Sequence, residues 1–188
     1  MGLRDSLFGK KKLAEPAEDR LFALTTAAVT LETELDLTTS GAAAIAFKPQ
    51  SSGEFRSAFD DVDQLLEAVA KQSGSTVERK SDEYGFDWII VRDPELEDLV
   101  TTAHALSDEL TAKGFGSQLL AAMFGFQGGE HPVYWIYGFK RGAYWPFVPI
   151  GDHKRDNATE LELKAKLEGE LPIEQDLTRW LALFDAPI

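Results

Sequence analysis

Two stretches of the chain repeat their apolar residues at helical spacing, and each runs into a pair of strand-like segments. Phe55, Phe59, Val62, Leu65, Leu66 and Val69 recur at intervals of three, four and seven, as do Leu96, Leu99, Val100, Ala103, Leu106 and Leu110. That period places each set along one side of a helix. After the first helix come Thr76 to Lys80 and Phe86 to Arg92, split by a turn at Asp82-Glu83-Tyr84-Gly85. After the second come Leu119 to Gln127 and Val133 to Lys140, split by Gly128-Gly129, which tolerates the positive φ of tight hairpins. Helices alternating with hairpins over short connections predict an α+β fold, a mainly antiparallel sheet of about five to six strands with helices packed on it in two layers.

The remaining elements are read from their boundaries. Asp93 predicts the N-cap of the second helix, with Pro94 in its first turn, and Gly114 predicts its stop. Ala17 to Leu37 has helical composition with a break expected near Thr25-Thr26; Thr38 to Gly41 reads as a stop. Ala42 to Phe47 reads as a buried strand closed by Pro49. Ala143 to Val148 follows the turn at Lys140-Arg141-Gly142, and Pro146 predicts that it lies at a sheet edge. Asn157 and Glu160 give an N-x-x-E start for a helix to about Glu168. A last short helix is predicted from Asp176, carrying Leu177, Trp180, Leu181 and Phe184. The helix–strand–strand order at 54–92 and 95–140 suggests a structural duplication, although the two copies share little sequence. Residues 1–16 read as a flexible N-terminal tail and 17–188 as one α+β domain.

Charge and composition exclude several classes. The sequence of 188 residues carries a net charge of −13, but Met1 to Lys12 holds four basic groups against one acid, so the rest is −16. A field of that sign opposes nucleic-acid binding, which depends on Lys and Arg displacing counterions. With no cysteine there is no disulfide, thiolate nucleophile or sulfur-ligated zinc. No apolar run reaches the roughly 20 residues of a bilayer span, and no export signal is evident, so the expected location is cytoplasmic.

Nothing in the sequence points to catalysis. His104, His131 and His153 are not at metal-ligand spacing from one another, and no phosphate loop, dinucleotide fingerprint or nucleophile elbow occurs. The expectation is a protein that is not an enzyme and holds no metal or cofactor.

Two regions are candidates for binding. The segment Tyr134 to Phe147 is the densest in aromatic residues. Alternation puts Val133, Trp135, Tyr137 and Phe139 on one face and Tyr134 and Ile136 on the other. A sheet with helices on one side leaves its second face outward, which predicts Tyr134, Tyr144 or Trp145 as interface anchors. Lys140 and Arg141 at the adjoining turn and Arg155 nearby in sequence supply charge. The second region is the tail, where Leu3, Leu7 and Phe8 precede Lys10, Lys11 and Lys12. That order suits a weak membrane-surface contact or a tether, each lysine contributing roughly 1 kcal/mol near anionic lipid.

A family resemblance runs through the chain in order. It is carried by Leu21-Phe22-Ala23-Leu24, Phe47-Lys48-Pro49, Tyr84-Gly85-Phe86-Asp87-Trp88 and Gly114-Phe115-Gly116 followed by Leu119-Leu120. It continues in Phe139-Lys140-Arg141-Gly142, Pro146-Phe147, Arg155-Asp156-Asn157-Ala158, Leu171-Pro172-Ile173-Glu174, Asp176-Leu177 and Arg179-Trp180. From about residue 20 onward these segments resemble the PspA-associated protein PspAB, a small family of actinobacteria and archaea. The resemblance implies a bacterial envelope-stress accessory protein. Its partner would be phage shock protein A, a long-helical effector that coats stressed inner membrane, or an associated component. The implied location is the cytoplasm, reaching peripherally to the inner membrane face. It implies no catalytic residues. Two readings stand on these observations: a non-enzymatic adaptor that binds a partner protein, and a small-molecule binder or unrecognised enzyme with a site near Lys140, Arg141 and Arg155.

Overall fold

A computed structural model describes residues 20–188. Among them are four α-helices, α1 (Ala23–Leu35), α2 (Gly53–Ser73), α3 (Leu96–Ala112) and α4 (Asn157–Leu167). There are six strands, β1 (Thr38–Phe47), β2 (Thr76–Ser81), β3 (Asp87–Arg92), β4 (Leu119–Gln127), β5 (Val133–Gly138) and β6 (Ala143–Phe147). The strands form one sheet in the order β2-β3-β1-β4-β5-β6, antiparallel at every pairing. The α+β class and the antiparallel sheet match the sequence-based expectation.

The ladder registers define two faces. Ile89, Ile45, Ala122, Tyr137 and Tyr144 lie in one row across the sheet, and Ile90, Ala44, Met123, Ile136 and Trp145 lie in the next. Successive residues of a strand point to opposite faces, so these rows belong to opposite sides. The first side carries the helices. There Phe47 of β1 stacks on Phe59 of α2 at 4.4 Å between ring centroids, and Leu24, Leu31, Val62, Leu99 and Leu106 are buried above the strands. Lys113 joins α3 to α2 by pairing with Asp61 at 2.6 Å while also meeting Glu109 at 3.2 Å.

Several boundaries differ from those read in the sequence, each for a local reason. No break occurs at Thr25-Thr26. The Thr25 hydroxyl donates to the Phe22 carbonyl at 2.7 Å, folding back on the preceding turn while α1 continues. Thr38 to Gly41 belongs to β1, where Gly41 at φ +76° lies in a register shift between Thr39 and Ala43. The N-cap position of α3 is Glu95. Asp93 sits just ahead of it, buried, accepting the Glu95 N–H at 2.8 Å and the Ser75 hydroxyl. Asp156 caps α4, its Oδ1 accepting the Ala158 and Thr159 N–H groups at 3.1 Å, and Asn157 is the first helical residue. The helix expected from Asp176 is a single 3-10 turn, Leu177–Arg179, followed by irregular chain.

The suggested duplication finds no support in the strand order. In the first unit the second strand, β3, pairs with β1; in the second unit the first strand, β4, does so. The predicted edge position of β6 holds, and a short parallel bridge between Tyr144 and Ile173 shields part of that edge. At the β4–β5 turn, Gly128 has φ +131° and a Cβ there would sit 1.9 Å from the Asp36 carbonyl oxygen. That position therefore admits only glycine without rearrangement.

Candidate interaction surface

The sheet's second face is not open. Residues 180–188 cross it as an irregular strap, and their Leu183, Ala186 and Ile188 pack on a small cluster of Ala44, Ala46 and Trp88. Phe184 meets Phe147 edge-to-face at 5.1 Å, and His153 packs against Phe184 from another side at 5.2 Å. Close approach is possible because the floor is small: Ala44, Ala46 and Gly138 present almost no side chain, and the Trp145 ring lies where a Gly138 Cβ would stand, 2.9 Å away.

This cover changes the place of the predicted aromatic anchors. Tyr144 is on the helix side, wholly buried, its hydroxyl donating to the Leu21 carbonyl. Burial, with Tyr137 adding to it, holds the phenol well above its ordinary pKa. Trp145 is on the outer face but buried beneath the strap, its Nε1 donating to the Leu181 carbonyl at 3.0 Å. Tyr134 is half-buried; its hydroxyl lies 3.5 Å from the Ile188 carbonyl, and burial raises its pKa. The expectation of rings on an outward face is therefore corrected for Tyr144 and Trp145. Exposure had been inferred from an uncovered second face; Tyr144 lies on the helix side instead, and the chain itself covers the face that carries Trp145.

Each nitrogen of the Arg155 guanidinium is engaged. Its Nε donates to both carboxylate oxygens of Glu160 at 2.9 and 2.8 Å, Nη1 to the Trp180 carbonyl at 2.8 Å and Nη2 to the Pro146 carbonyl at 3.3 Å. The guanidinium carbon stands 5.4 Å from the Phe147 ring centroid. One side chain thus joins α4, the end of β6 and the start of the strap. Glu160 is 1% exposed and also accepts the Val148 N–H at 2.8 Å. Burial pushes its pKa up, against the downward pull of Arg155 and Val148. Asp156 next to it is held below the usual carboxylate range by the Thr159 hydroxyl and nearby backbone N–H groups.

Lys140 and Arg141 are exposed at the opposite end of β6 from Arg155, with Arg141 paired to Glu174 at 3.5 Å. They do not line the cleft beside Arg155, whose walls are Arg155, Asn157, Glu160, Leu161, Leu177 and Trp180. That cleft holds about 100 Å³, below the roughly 300–1,000 Å³ usual for small-molecule sites. The three histidines lie apart: His104 pairs with Asp108 at 3.2 Å, His131 lines a shallow cleft with Leu37 and Glu162, and His153 packs on Phe184. Among the described residues no cluster of His, Asp or Glu could hold a metal ion, and no helix is long and apolar enough to cross a membrane. Leu3, Leu7, Phe8, Lys10, Lys11 and Lys12 lie outside the described residues.

What sequence reasoning missed is an apolar patch beside the Arg155 cleft. Leu161 and Leu177 line the cleft at 46% and 49% exposure, and Leu181, next to Trp180, is 62% exposed. The spacing of Leu177, Trp180 and Leu181 was visible but was read only as a short helix from Asp176.

A family model described as PspA associated protein B matches residues 1–188, the whole sequence. The chain belongs to this family. The match extends the resemblance to the tail, which the ordered motifs from residue 20 onward had not covered. No curated protein and no solved structure matches the chain. The PspA associated protein B family name points to PspA as a candidate partner.

Proposed function

We propose that the chain is a non-enzymatic accessory protein of a bacterial envelope-stress system that acts by binding PspA. Membership of the PspA associated protein B family carries this reading. The surface that fits it best is the leucine patch. Lone exposed leucines are ordinary, but Leu161 and Leu177 line one cleft with Trp180, and exposed Leu181 follows Trp180 in the chain; contiguous apolar surface marks contact sites.

A surface on PspA complementary to this one would be apolar and flanked by basic side chains. A protein of net charge −13 draws such a partner by long-range attraction, which raises the association rate more than it slows dissociation. Affinity therefore falls as salt rises and the field is screened. The protein works in the cytoplasm, where Lys10, Lys11 and Lys12 with Leu3, Leu7 and Phe8 add a weak contact at the inner membrane face.

Titration calorimetry with purified PspA tests the reading. The expected result is saturable binding by the wild type and a loss of at least about tenfold in the Leu177→Asp, Leu181→Asp double variant, as for central apolar contacts. Absence of wild-type binding at tens of micromolar overturns it. For the tail, co-sedimentation with anionic liposomes compares the full chain with one beginning at Leu13; equal partitioning removes the membrane contact.

A further inference from the structure

The strap is gripped in an unusual way. Besides the ring and floor contacts, three side chains of the domain hydrogen-bond to it, and all three donate to its main-chain carbonyls: Arg155 to Trp180 at 2.8 Å, Trp145 to Leu181 at 3.0 Å and Tyr134 to Ile188 at 3.5 Å. Such contacts hold the main chain on both sides of a turn at Phe184-Asp185, whatever sequence it carries. Shape comes from the floor, where Ala44, Ala46 and Trp88 receive Leu183, Ala186 and Ile188. The strap itself is half-exposed and neither helix nor strand, and the backbone bond within it is the local one from Ala186 N–H to the Leu183 carbonyl. Segments with few buried contacts open at a small fraction of the cost of global unfolding.

We propose that the outer face of the sheet is a peptide-binding groove, occupied in cis by residues 180–188, into which a partner feeds an apolar segment of the same irregular, turn-containing kind in their place. The occupant is defined by the strap: an irregular apolar stretch with a turn at its centre, as in Leu183-Phe184-Asp185-Ala186, where the Ala186 N–H donates to the Leu183 carbonyl at 3.2 Å. Leu161 and Leu177 of the leucine patch lie in the cleft at the start of the strap, so a partner seated on them lies beside the segment it displaces. That this partner is PspA rests on the function proposed above; the groove does not.

The chain has no cysteine, so introduced thiols report alone. Ala44 and Ala43 are neighbours on β1, both fully buried, one beneath the strap and the other in the core under the helices. Ala44→Cys and Ala43→Cys are placed separately in the full chain and followed with a maleimide; Ala46→Cys repeats the outer-face measurement should Ala44→Cys fold poorly. The outer thiol is expected to react at least about tenfold faster than the inner one, since local opening precedes global unfolding. Adding Phe184→Ala speeds the outer thiol and leaves the inner one unchanged, and a synthetic peptide with the sequence of residues 178–188 slows it again. Equal rates for the two faces, or no protection by the peptide, overturn the proposal. Purified PspA separates the two ideas. If it binds without protecting the outer thiol, the groove is not its site, which overturns PspA as the displacing partner. If the peptide protects and PspA does not bind, the groove stands and the proposed function fails.

Discussion

Replacing Arg155 by leucine removes the cation that compensates Glu160, a carboxylate 1% exposed. Breaking a mostly buried ion pair by removing one partner costs about 3–5 kcal/mol. Two features place this case at the low end. Glu160 keeps the Val148 N–H at 2.8 Å, and Arg155 is 19% exposed, so water can reach part of the vacated space. The carbonyls of Trp180 and Pro146 also lose their donor. The expected loss is about 3 kcal/mol at pH 7, which lowers the melting temperature of a chain this size by about 6–12 °C. Its pH dependence follows from burial, which raises the folded-state pKa of Glu160 above the ordinary 4.5. For a carboxyl raised on folding, the folded state binds the proton more tightly. Its stabilising contribution is complete below 4.5 and is lost as pH rises through the folded value. Without Arg155 that value rises further, so the variant's deficit is smaller near pH 4.5 than at pH 7. Urea denaturation at both pH values measures this. The Arg155→Leu, Glu160→Leu double variant recovers more than half of the loss, because no charge remains buried. A deficit below about 1 kcal/mol at pH 7, or one that grows on acidification, refutes the reasoning.

Other substitutions follow from named contacts. Gly128→Ala forces a Cβ against the Asp36 carbonyl at a backbone angle few L-residues adopt. It costs about 2 kcal/mol or more by urea denaturation, whereas substitution at Gly53, with nothing near its Cβ, stays within about 1 kcal/mol. Tyr144→Phe leaves the Leu21 carbonyl without its buried donor and costs about 1–3 kcal/mol. Leu177→Asp with Leu181→Asp, both at exposed positions, changes stability by less than about 1 kcal/mol while weakening PspA binding.

Much of the architecture was legible because it rests on local rules. The spacings of Phe55 to Val69 and Leu96 to Leu110 fixed α2 and α3, and Gly114 marked the end of α3 with a positive φ, as expected. Boundaries decided by side-chain choice were harder. Asp93 and Asn157 are good capping residues, yet Asp93 is spent on Ser75 and the turn ahead of the helix, and Asp156 takes the cap that Asn157 could have made. The candidate site failed on a longer-range question, what covers the second face. Strands buried on both sides read as continuous apolar runs. Leu119 to Phe126 and Trp88 to Val91 are such runs, a signal that both faces are covered. What could not be read was the cover itself, since Leu177, Trp180, Leu181 and Phe184 fit a helical stripe equally well. Packing against Trp88, Trp145 and Phe147 accompanies irregular chain there instead, with a turn at Phe184-Asp185. The same contacts turned residues expected to bind a partner, Tyr134, Trp145 and Arg155, into holders of the protein's own chain.

Hydrogen exchange of the full chain, alone and saturated with purified PspA, maps the contact most directly. The account predicts changes concentrated in residues 157–163 and 177–188, around the leucine patch and the strap. Changes confined to α2, β2 or other distant elements, or no change in the presence of PspA, contradict it.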